Sequence, residues 1–263
     1  MVSQICSSLM VAKAPVMLAR PDFTAFTSYP LNSIPASKVS RISLFLECQK
    51  CFWLGQAKDI HRPRGIFPSL PGGMDLLIKK YFDRFRAIGK LPPELEGKID
   101  VELFPDNELL NKWRSWRSAL AYQDPETGAV LSGMLDDLGV QKTGSNGELF
   151  GSAKYVPLDY KTRGFDVKEG GENFYKNQLN CYGLLLRENG MPPAGHAFLL
   201  YYIPREVSEK GVTQFEVVPK KVEINPDEAL KVFRGAVELI KGPMPKTHSE
   251  CEYCAWGNDF LTD

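Results

Sequence analysis

The sequence lacks a long apolar run and an excess of charge of either sign. No hydrophobic stretch approaches the ~20 residues that a helix needs to cross a bilayer, so we expect no membrane association. Lysine and arginine number 32, as do aspartate and glutamate, and the formal net charge is zero. Any binding to nucleic acid must therefore come from a local patch and not from the molecule as a whole.

The Ser-, Ala- and Pro-rich N-terminal stretch could be a leader or a disordered extension, but we do not expect secretion, because it has no clean apolar core followed by a small-residue cleavage site. We therefore predict a cytoplasmic protein. A chain of 263 residues is long enough to form a stable hydrophobic core without disulfide bonds. The predicted organisation is a flexible extension (1–36) and a single domain (37–263), the latter with a helical part (37–120), a core (about 121–241) and a cysteine-bearing segment (242–263).

Three basic stretches are candidates for contact with nucleic acid. They are Lys58–Arg64, the run from Lys79 to Lys90, and Lys112–Arg117. The third interleaves tryptophan with arginine, which suits stacking on unpaired bases as well as phosphate contact. The alternative for this stretch is an amphipathic helix that buries both tryptophans and solvates its charges.

Apolar periodicity predicts alternating helices and strands. Helices are expected over residues 37 to about 55, 74 to 88, 173 to 188 and 226 to 240, and strands over 130–140, 155–161, 197–203 and 215–224. The strands at 130–140 and 155–161 are predicted to form a hairpin. This order predicts an α/β fold with a mixed central sheet flanked by helices.

Two carboxylates and one lysine end the strands of this hairpin. Asp136 ends one apolar run, and Asp159 ends the next, with Lys161 two residues further on. Because strand side chains alternate, Asp159 and Lys161 should point together while Tyr160 faces the other way. Converging carboxylates suit Mg²⁺ or Mn²⁺, and such an ion with a lysine to orient or deprotonate water suits phosphodiester hydrolysis. The alternative is a hairpin whose exposed face carries ordinary charges.

Two further elements carry polar residues that could reach this site. Gln178 and Tyr182 lie one turn apart on a predicted helix, so both project from one face and could contact phosphate oxygens or Lys161. Asp75 follows two glycines near the start of an earlier helix and is a candidate further ligand. The alternatives are a core-edge tyrosine and a carboxylate placed to favour a helix N-terminus.

Four of the six cysteines form two CxxC pairs about 200 residues apart. They are Cys48 with Cys51 and Cys251 with Cys254. Four thiolates satisfy either a tetrahedral Zn²⁺ or a 4Fe–4S cluster, and either would tie the two ends of the domain together. Disulfides are the alternative, and they are disfavoured in a chain without a leader.

Taken in order, these motifs resemble the PD-(D/E)XK nuclease superfamily, in its RecB-like branch with a cysteine-bound cluster. That branch includes helicase-associated nucleases and CRISPR-adaptation exonucleases. The motifs that carry the resemblance are Gly133-x-x-Asp136, Asp159-Tyr160-Lys161-Thr162, Gln178-x-x-x-Tyr182 and the terminal cysteines. The resemblance implies a restriction-endonuclease-like core, DNA as substrate, and a helicase or CRISPR-adaptation protein as partner.

The resemblance also implies roles for individual residues. Asp136 and Asp159 would bind the catalytic metal, Lys161 would assist the attacking water, and Gln178 and Tyr182 would support the site. Two further positions complete the predicted metal set, namely Tyr160 and Asp75. The chain departs from the pattern in having Asp75 where relatives often place histidine, and in its two-plus-two cysteines, which fit zinc as well as an iron–sulfur cluster. By the resemblance we expect a 4Fe–4S cluster, with a structural Zn²⁺ as the alternative.

Two functions follow from these observations. The first is a Mg²⁺- or Mn²⁺-dependent DNA nuclease, expected to be an exonuclease on single strands or DNA ends, acting in DNA repair, recombination or CRISPR adaptation. The second is a catalytically silent nucleic-acid-binding subunit of such a complex. The presence of Asp136, Asp159 and Lys161 together favours the enzyme.

Overall fold

The computed structural model describes residues 37–63, 65, 69–141 and 153–259. The predicted extension over 1–36 lies outside these residues. The helices are α1 (Val39–Glu47), α2 (Gln49–Ala57), α3 (Ser69–Ala87), α4 (Asn107–Trp113), α5 (Asn173–Glu188), α6 (Pro226–Lys241) and α7 (Glu252–Asp259). The strands are β1 (Ser37–Lys38), β2 (Glu102–Leu103), β3 (Leu120–Gln123), β4 (Val130–Gly133), β5 (Asp137–Gln141), β6 (Lys154–Thr162), β7 (His196–Val207) and β8 (Thr213–Glu223).

A five-stranded mixed sheet forms the centre of the fold, in the order β2-β5-β6-β7-β8. β5 and β6 pair antiparallel, with Asp137 opposite Leu158, which confirms the predicted hairpin. β6 and β7 run parallel, with Lys161 opposite Tyr201, and α5 makes the crossover that a parallel pair needs. The prediction of an α/β fold with a mixed sheet is therefore correct.

Helices cover both faces of this sheet and form a hydrophobic core on each face. The side chains of β6 alternate between these two cores. Val156, Leu158 and Tyr160 face α3, where they pack with Ile78 and Phe82. The opposite face carries Tyr155 and packs under α5 and α6 in the larger core. Asp159 lies on this second face, so the end of β6 presents it beneath α5.

A predicted strand over 130–140 is wrong, because this segment forms two strands in separate sheets. β4 joins a small sheet of order β1-β4-β3, whereas β5 belongs to the central sheet. Between them the main chain bonds to the end of α4: Leu135 N–H donates to Trp113 O (3.3 Å) and Asp136 O accepts from Arg114 Nε (2.8 Å). These contacts take the place of strand pairing and turn the chain at Asp136.

The single helix predicted over 37–55 is also interrupted. Cys48 adopts an extended conformation (φ −157°, ψ 104°) between α1 and α2. Both helices pack against α6. Among the described residues, every helix is too short or too polar to span a lipid bilayer.

Candidate active site and cysteine cluster

The end of β6 brings a buried carboxylate and a lysine together. The Lys161 ammonium lies 2.6 Å from Asp159 Oδ2, and the Asp159 side chain is only 1% exposed. This is the pairing expected from strand alternation, because residues 159 and 161 share a face. The same ammonium lies 4.4 Å from the centre of the Tyr175 ring on α5, within range of a cation–π contact.

Asp136 reaches the site from the turn before β5. Its Oδ2 accepts a hydrogen bond from the main-chain amide of Tyr160 (3.3 Å), which holds it next to Asp159 on the neighbouring strand. The Tyr160 phenol points the opposite way and hydrogen bonds to Asp137. Its side chain thus faces away from Asp159, as strand alternation predicts, and a contact of Tyr160 with the metal would have to come from its main chain.

Gln178 links the helix α5 to the carboxylates. Its Nε2 donates to Asp159 Oδ1 (3.2 Å) and to the Tyr182 phenol oxygen (2.6 Å). The structure thus brings Gln178 to Asp159, while Tyr182 contacts Gln178 and is 6% exposed.

Gly133 allows α5 to lie this close to β4. A Cβ at this position would stand 2.7 Å from Val39 Cγ2 and 2.9 Å from Leu185 Cδ1, closer than packed carbons approach. It would also lie 3.5 Å from the Tyr182 ring. Close packing therefore explains why a glycine stands at position 133, three residues before Asp136. The spacing of the sequence motif alone does not show this.

Asp75 lies at the edge of the site, paired with a lysine that the sequence did not identify as a site residue. Its Oδ2 is 2.7 Å from the Lys79 ammonium, one turn along α3. The same ammonium is 2.8 Å from Asp136 Oδ1. Lys79 therefore stands between the predicted ligands Asp75 and Asp136. The four-residue spacing of Asp75 and Lys79 on one helix was the available signal.

A second aspartate, Asp137, carries a buried ionic network on the other face of the sheet. Arg86 Nη2 lies 2.6 Å from its Oδ1, and Arg114 Nη2 lies 3.1 Å from its Oδ2. Both arginines come from stretches proposed above for nucleic acid, yet their side chains are 1% and 8% exposed. The central charges of those two stretches are thus used inside the protein.

Burial dominates the electrostatics of the carboxylate pair. Removal from water raises the pKa of Asp159 to about 7, and the charge of Asp136 adds to the rise, while Lys161 opposes it. Asp159 Oδ2 pairs with the Lys161 ammonium at 2.6 Å, and its Oδ1 accepts from Gln178. A buried carboxylate beside a second carboxylate is an arrangement that a divalent cation would stabilise. The residues present therefore fit a Mg²⁺ or Mn²⁺ ion held by Asp136 and Asp159.

Exposed aromatic rings and an arginine lie close in sequence to Lys161 and to Tyr175, which contacts it. Phe174, next to Tyr175, is 84% exposed, and Phe165 is 61% exposed. The Arg163 guanidinium lies 5.0 Å from the Phe165 ring and follows Lys161 by two residues, on the same side of the extended chain. Cations and open aromatic faces thus continue outward from Asp159.

The four cysteines of the CxxC pairs converge although the pairs are far apart in sequence. Cys48 Sγ is 3.6 Å from Cys254 Sγ, and Cys51 Sγ is 3.7 Å from both Cys251 and Cys254. All four sulfurs lie within 4.8 Å of one another, and all four side chains are buried. These separations are too long for disulfides and leave four free thiols that could bind a metal.

Cys6 lies outside the described residues, and Cys181 is buried in α5 away from the cluster. The Arg62 guanidinium donates to Cys251 Sγ (3.3 Å) and stacks on Tyr253, so a cation lies against the sulfur cluster.

Comparison with known families identifies the class to which this geometry corresponds. A family model described as the PD-(D/E)XK nuclease superfamily matches residues 78–258, more than two thirds of the chain. The matched segment contains Asp136, Asp159, Lys161, Gln178 and Tyr182. The match agrees with the predicted restriction-endonuclease-like core. No curated protein matches the chain.

Proposed function

The chain belongs to the PD-(D/E)XK nuclease superfamily, and on that premise we propose that it is a Mg²⁺- or Mn²⁺-dependent deoxyribonuclease. The observation that carries the proposal is the convergence of Asp136, Asp159 and Lys161 at one end of the β5–β6 pair, with the Asp159 carboxylate buried. Membership supports nuclease chemistry, and this geometry supports a site equipped for turnover and not a silent one.

Each residue has a chemical task in phosphodiester hydrolysis. Asp136 and Asp159 would hold the divalent ion. Such an ion lowers the pKa of the water bound to it and neutralises charge on the phosphate. Lys161 stands beside Asp159, where its ammonium can orient the attacking water; only its neutral amine could take the proton of that water. Gln178 fixes Asp159 through one hydrogen bond and is itself fixed by Tyr182, which limits rotation of the carboxylate.

The rings around the site support a single-stranded substrate or an unwound end. Phe174 and Phe165 present open faces to solvent beside Lys161 and Arg163. Bases in a duplex are already stacked, whereas unpaired bases gain ~1–3 kcal/mol each by stacking on a protein ring. An exonuclease that takes single strands or ends, within the RecB-like branch and with a helicase or a CRISPR-adaptation protein as partner, is consistent with this surface.

The cysteine cluster would act as a structural staple between α2 and α7. The resemblance implies a 4Fe–4S cluster, but the sulfur separations favour the zinc alternative. Four thiolates bound at 2.3 Å to one tetrahedral Zn²⁺ stand about 3.8 Å apart, close to the 3.6 Å and 3.7 Å contacts here. Thiolates on four separate irons must stand farther apart than thiolates on one ion.

The test of the nuclease is cleavage of labelled single-stranded DNA with Mn²⁺ or Mg²⁺ in purified protein. Asp159→Ala and Asp136→Asn should each abolish cleavage, while Asp100→Asn, at an exposed carboxylate before β2, should cleave normally. Cleavage that survives Asp159→Ala rejects the assigned site. Tight DNA binding by the wild type without cleavage under either metal would support the silent subunit instead.

The test of the substrate class compares two kinds of phosphodiester. Phe165→Ala and Phe174→Ala should weaken single-stranded DNA binding about tenfold each, from the stacking energy given above, yet leave hydrolysis of bis(p-nitrophenyl) phosphate unchanged. Trp116→Ala is the matched control, since this ring is 66% exposed and has its own arginine, Arg117, at 4.7 Å. If only Trp116→Ala weakened DNA binding, the DNA would instead bind at the Lys112–Arg117 stretch.

A further inference from the structure

Lys79 places a positive charge between two carboxylates at the edge of the candidate metal site. Its ammonium lies 2.7 Å from Asp75 Oδ2 and 2.8 Å from Asp136 Oδ1. Asp136 is also the carboxylate that shares the site with Asp159. The ammonium is therefore next to the position proposed for the divalent ion and bonds to one of its ligands.

The fold holds this lysine in place from two elements. Asp75 and Lys79 are one turn apart on α3, which fixes their pairing along the helix surface. Asp136 comes from the turn before β5, where its main chain is held by Arg114. The Lys79 side chain is only 18% exposed, and its ammonium contacts both carboxylates.

Two-metal nucleases place their ions about 3.5–4 Å apart, and the two ions share a bridging carboxylate or phosphate oxygen. In this chain Asp136 and Asp159 would hold one ion. On the Asp75 side of Asp136 the structure has the ammonium of Lys79, whose two oxygen contacts match those of a cation bound between carboxylates.

Charge neutralisation leads to the same conclusion. Asp75, Asp136 and Asp159 contribute three negative charges when ionised, and Lys79 and Lys161 contribute two positive charges. One divalent ion leaves the site with a single positive charge, which suits one phosphodiester group. A second divalent ion beside Lys79 would meet a like charge at close range, which costs several kcal/mol in a partly buried site.

We propose that Lys79 replaces a second divalent ion, so that the site binds one Mg²⁺ or Mn²⁺ at Asp136 and Asp159. This inference rests on the proposed nuclease function but concerns the number of ions and not the reaction. It assigns Asp75 to the anchoring of Lys79 in place of direct metal binding. It also makes Lys79 a positioning residue for Asp136.

The experiment counts Mn²⁺ ions by electron paramagnetic resonance. Mn²⁺ that binds the protein no longer contributes to the signal of the free ion, so the loss of that signal gives the number of bound ions. Asp136→Asn protein supplies the background, since it lacks the shared ligand. Wild type should bind one ion above this background, and Lys79→Met should bind two. Lys79→Arg, which keeps the charge, should bind one, as should Lys80→Met, the exposed neighbour on the same helix.

The double variant Lys79→Met with Asp75→Asn identifies where the extra ion binds. It should return to one ion, because the second position has lost a carboxylate. Two ions in wild type, or one ion in folded Lys79→Met, would overturn the proposal. Wild type with no ion above background would instead remove the nuclease proposal itself. The wild-type count remains decisive if circular dichroism shows that Lys79→Met does not fold.

Discussion

Asp136 and Asp137 are consecutive residues whose carboxylates belong to two different ionic networks. Asp136 is 23% exposed and contacts Lys79 at the candidate metal site. Asp137 is fully buried and is held by Arg86, Arg114 and the Tyr160 phenol. Because the chain turns between β4 and β5, Asp136 is available for chemistry while Asp137, the first residue of β5, stabilises the fold.

Substitution of Asp137 should therefore lower stability, whereas substitution of Asp136 should abolish cleavage. Asp137→Asn leaves two buried guanidinium groups short of a partner and should lower the free energy of unfolding by roughly 3–5 kcal/mol, the usual cost of breaking a buried pair. Asp136→Asn should abolish cleavage and change the stability of the metal-free protein by less than about 1 kcal/mol. Urea unfolding followed by circular dichroism measures both. Equal destabilisation by the two variants would contradict this division.

Binding of the divalent ion should release a proton at mildly acid pH. Burial raises the pKa of Asp159 to about 7 in the metal-free protein, so this carboxyl is mostly protonated at pH 6 and mostly ionised at pH 8. A cation binds only the ionised form, so its affinity should fall about tenfold for each pH unit below about 7.

Isothermal titration calorimetry of Mn²⁺ in two buffers of different ionisation enthalpy counts this proton. Close to one proton should be released per ion at pH 6 and close to none at pH 8. Asp159→Asn serves as the control and should show neither site binding nor proton release. A proton count that stays at zero at pH 6 would show that Asp159 is ionised before the ion arrives.

Gly133→Ala should loosen the packing that holds α5 over the site. The added methyl group would stand 2.7 Å from Val39 and 2.9 Å from Leu185, so we expect a loss of roughly 1–3 kcal/mol in unfolding free energy. Gly73→Ala is the control, because a Cβ there meets nothing within 4 Å and alanine favours the helix. Thermal unfolding compares the two, and a neutral Gly133→Ala would remove the packing explanation of this glycine.

Loss of the cysteine-bound metal should release the C-terminal segment. Cys251→Ser should reduce the metal content and make the chain after α6 sensitive to limited proteolysis, because the sulfur cluster links α7 to α2. Elemental analysis should find one zinc per chain in wild type and in Asp159→Asn. A brown protein that absorbs near 400 nm and contains four irons would instead establish the 4Fe–4S alternative.

Short-range periodicity was sufficient to predict the inner part of the site. The two-residue period of a strand placed Asp159 with Lys161, and the four-residue spacing of a helix placed Gln178 with Tyr182. The hairpin that adds Asp136 followed from two neighbouring apolar runs. The structure brings these side chains together, while their catalytic roles stay predictions.

Features decided by distant contacts were not predictable in the same way. The run 130–140 has apolar residues on both sides of Asp136 and Asp137, and only the bonds of Leu135 and Asp136 to the end of α4 show why it divides into β4 and β5. Arg86 and Arg114 looked like surface charges because their partner, Asp137, lies on another element. Lys79 was missed for the same reason, since its second partner comes from the turn before β5.

The central claim is that Asp136 and Asp159 share one divalent ion, and anomalous diffraction at the manganese edge tests it most directly. Crystals of the wild-type protein grown with Mn²⁺ should show one anomalous peak at bonding distance from oxygens of both carboxylates, with Lys79 still between Asp75 and Asp136. Saturated crystals without a peak between the two carboxylates, or with these side chains turned apart, would contradict the account.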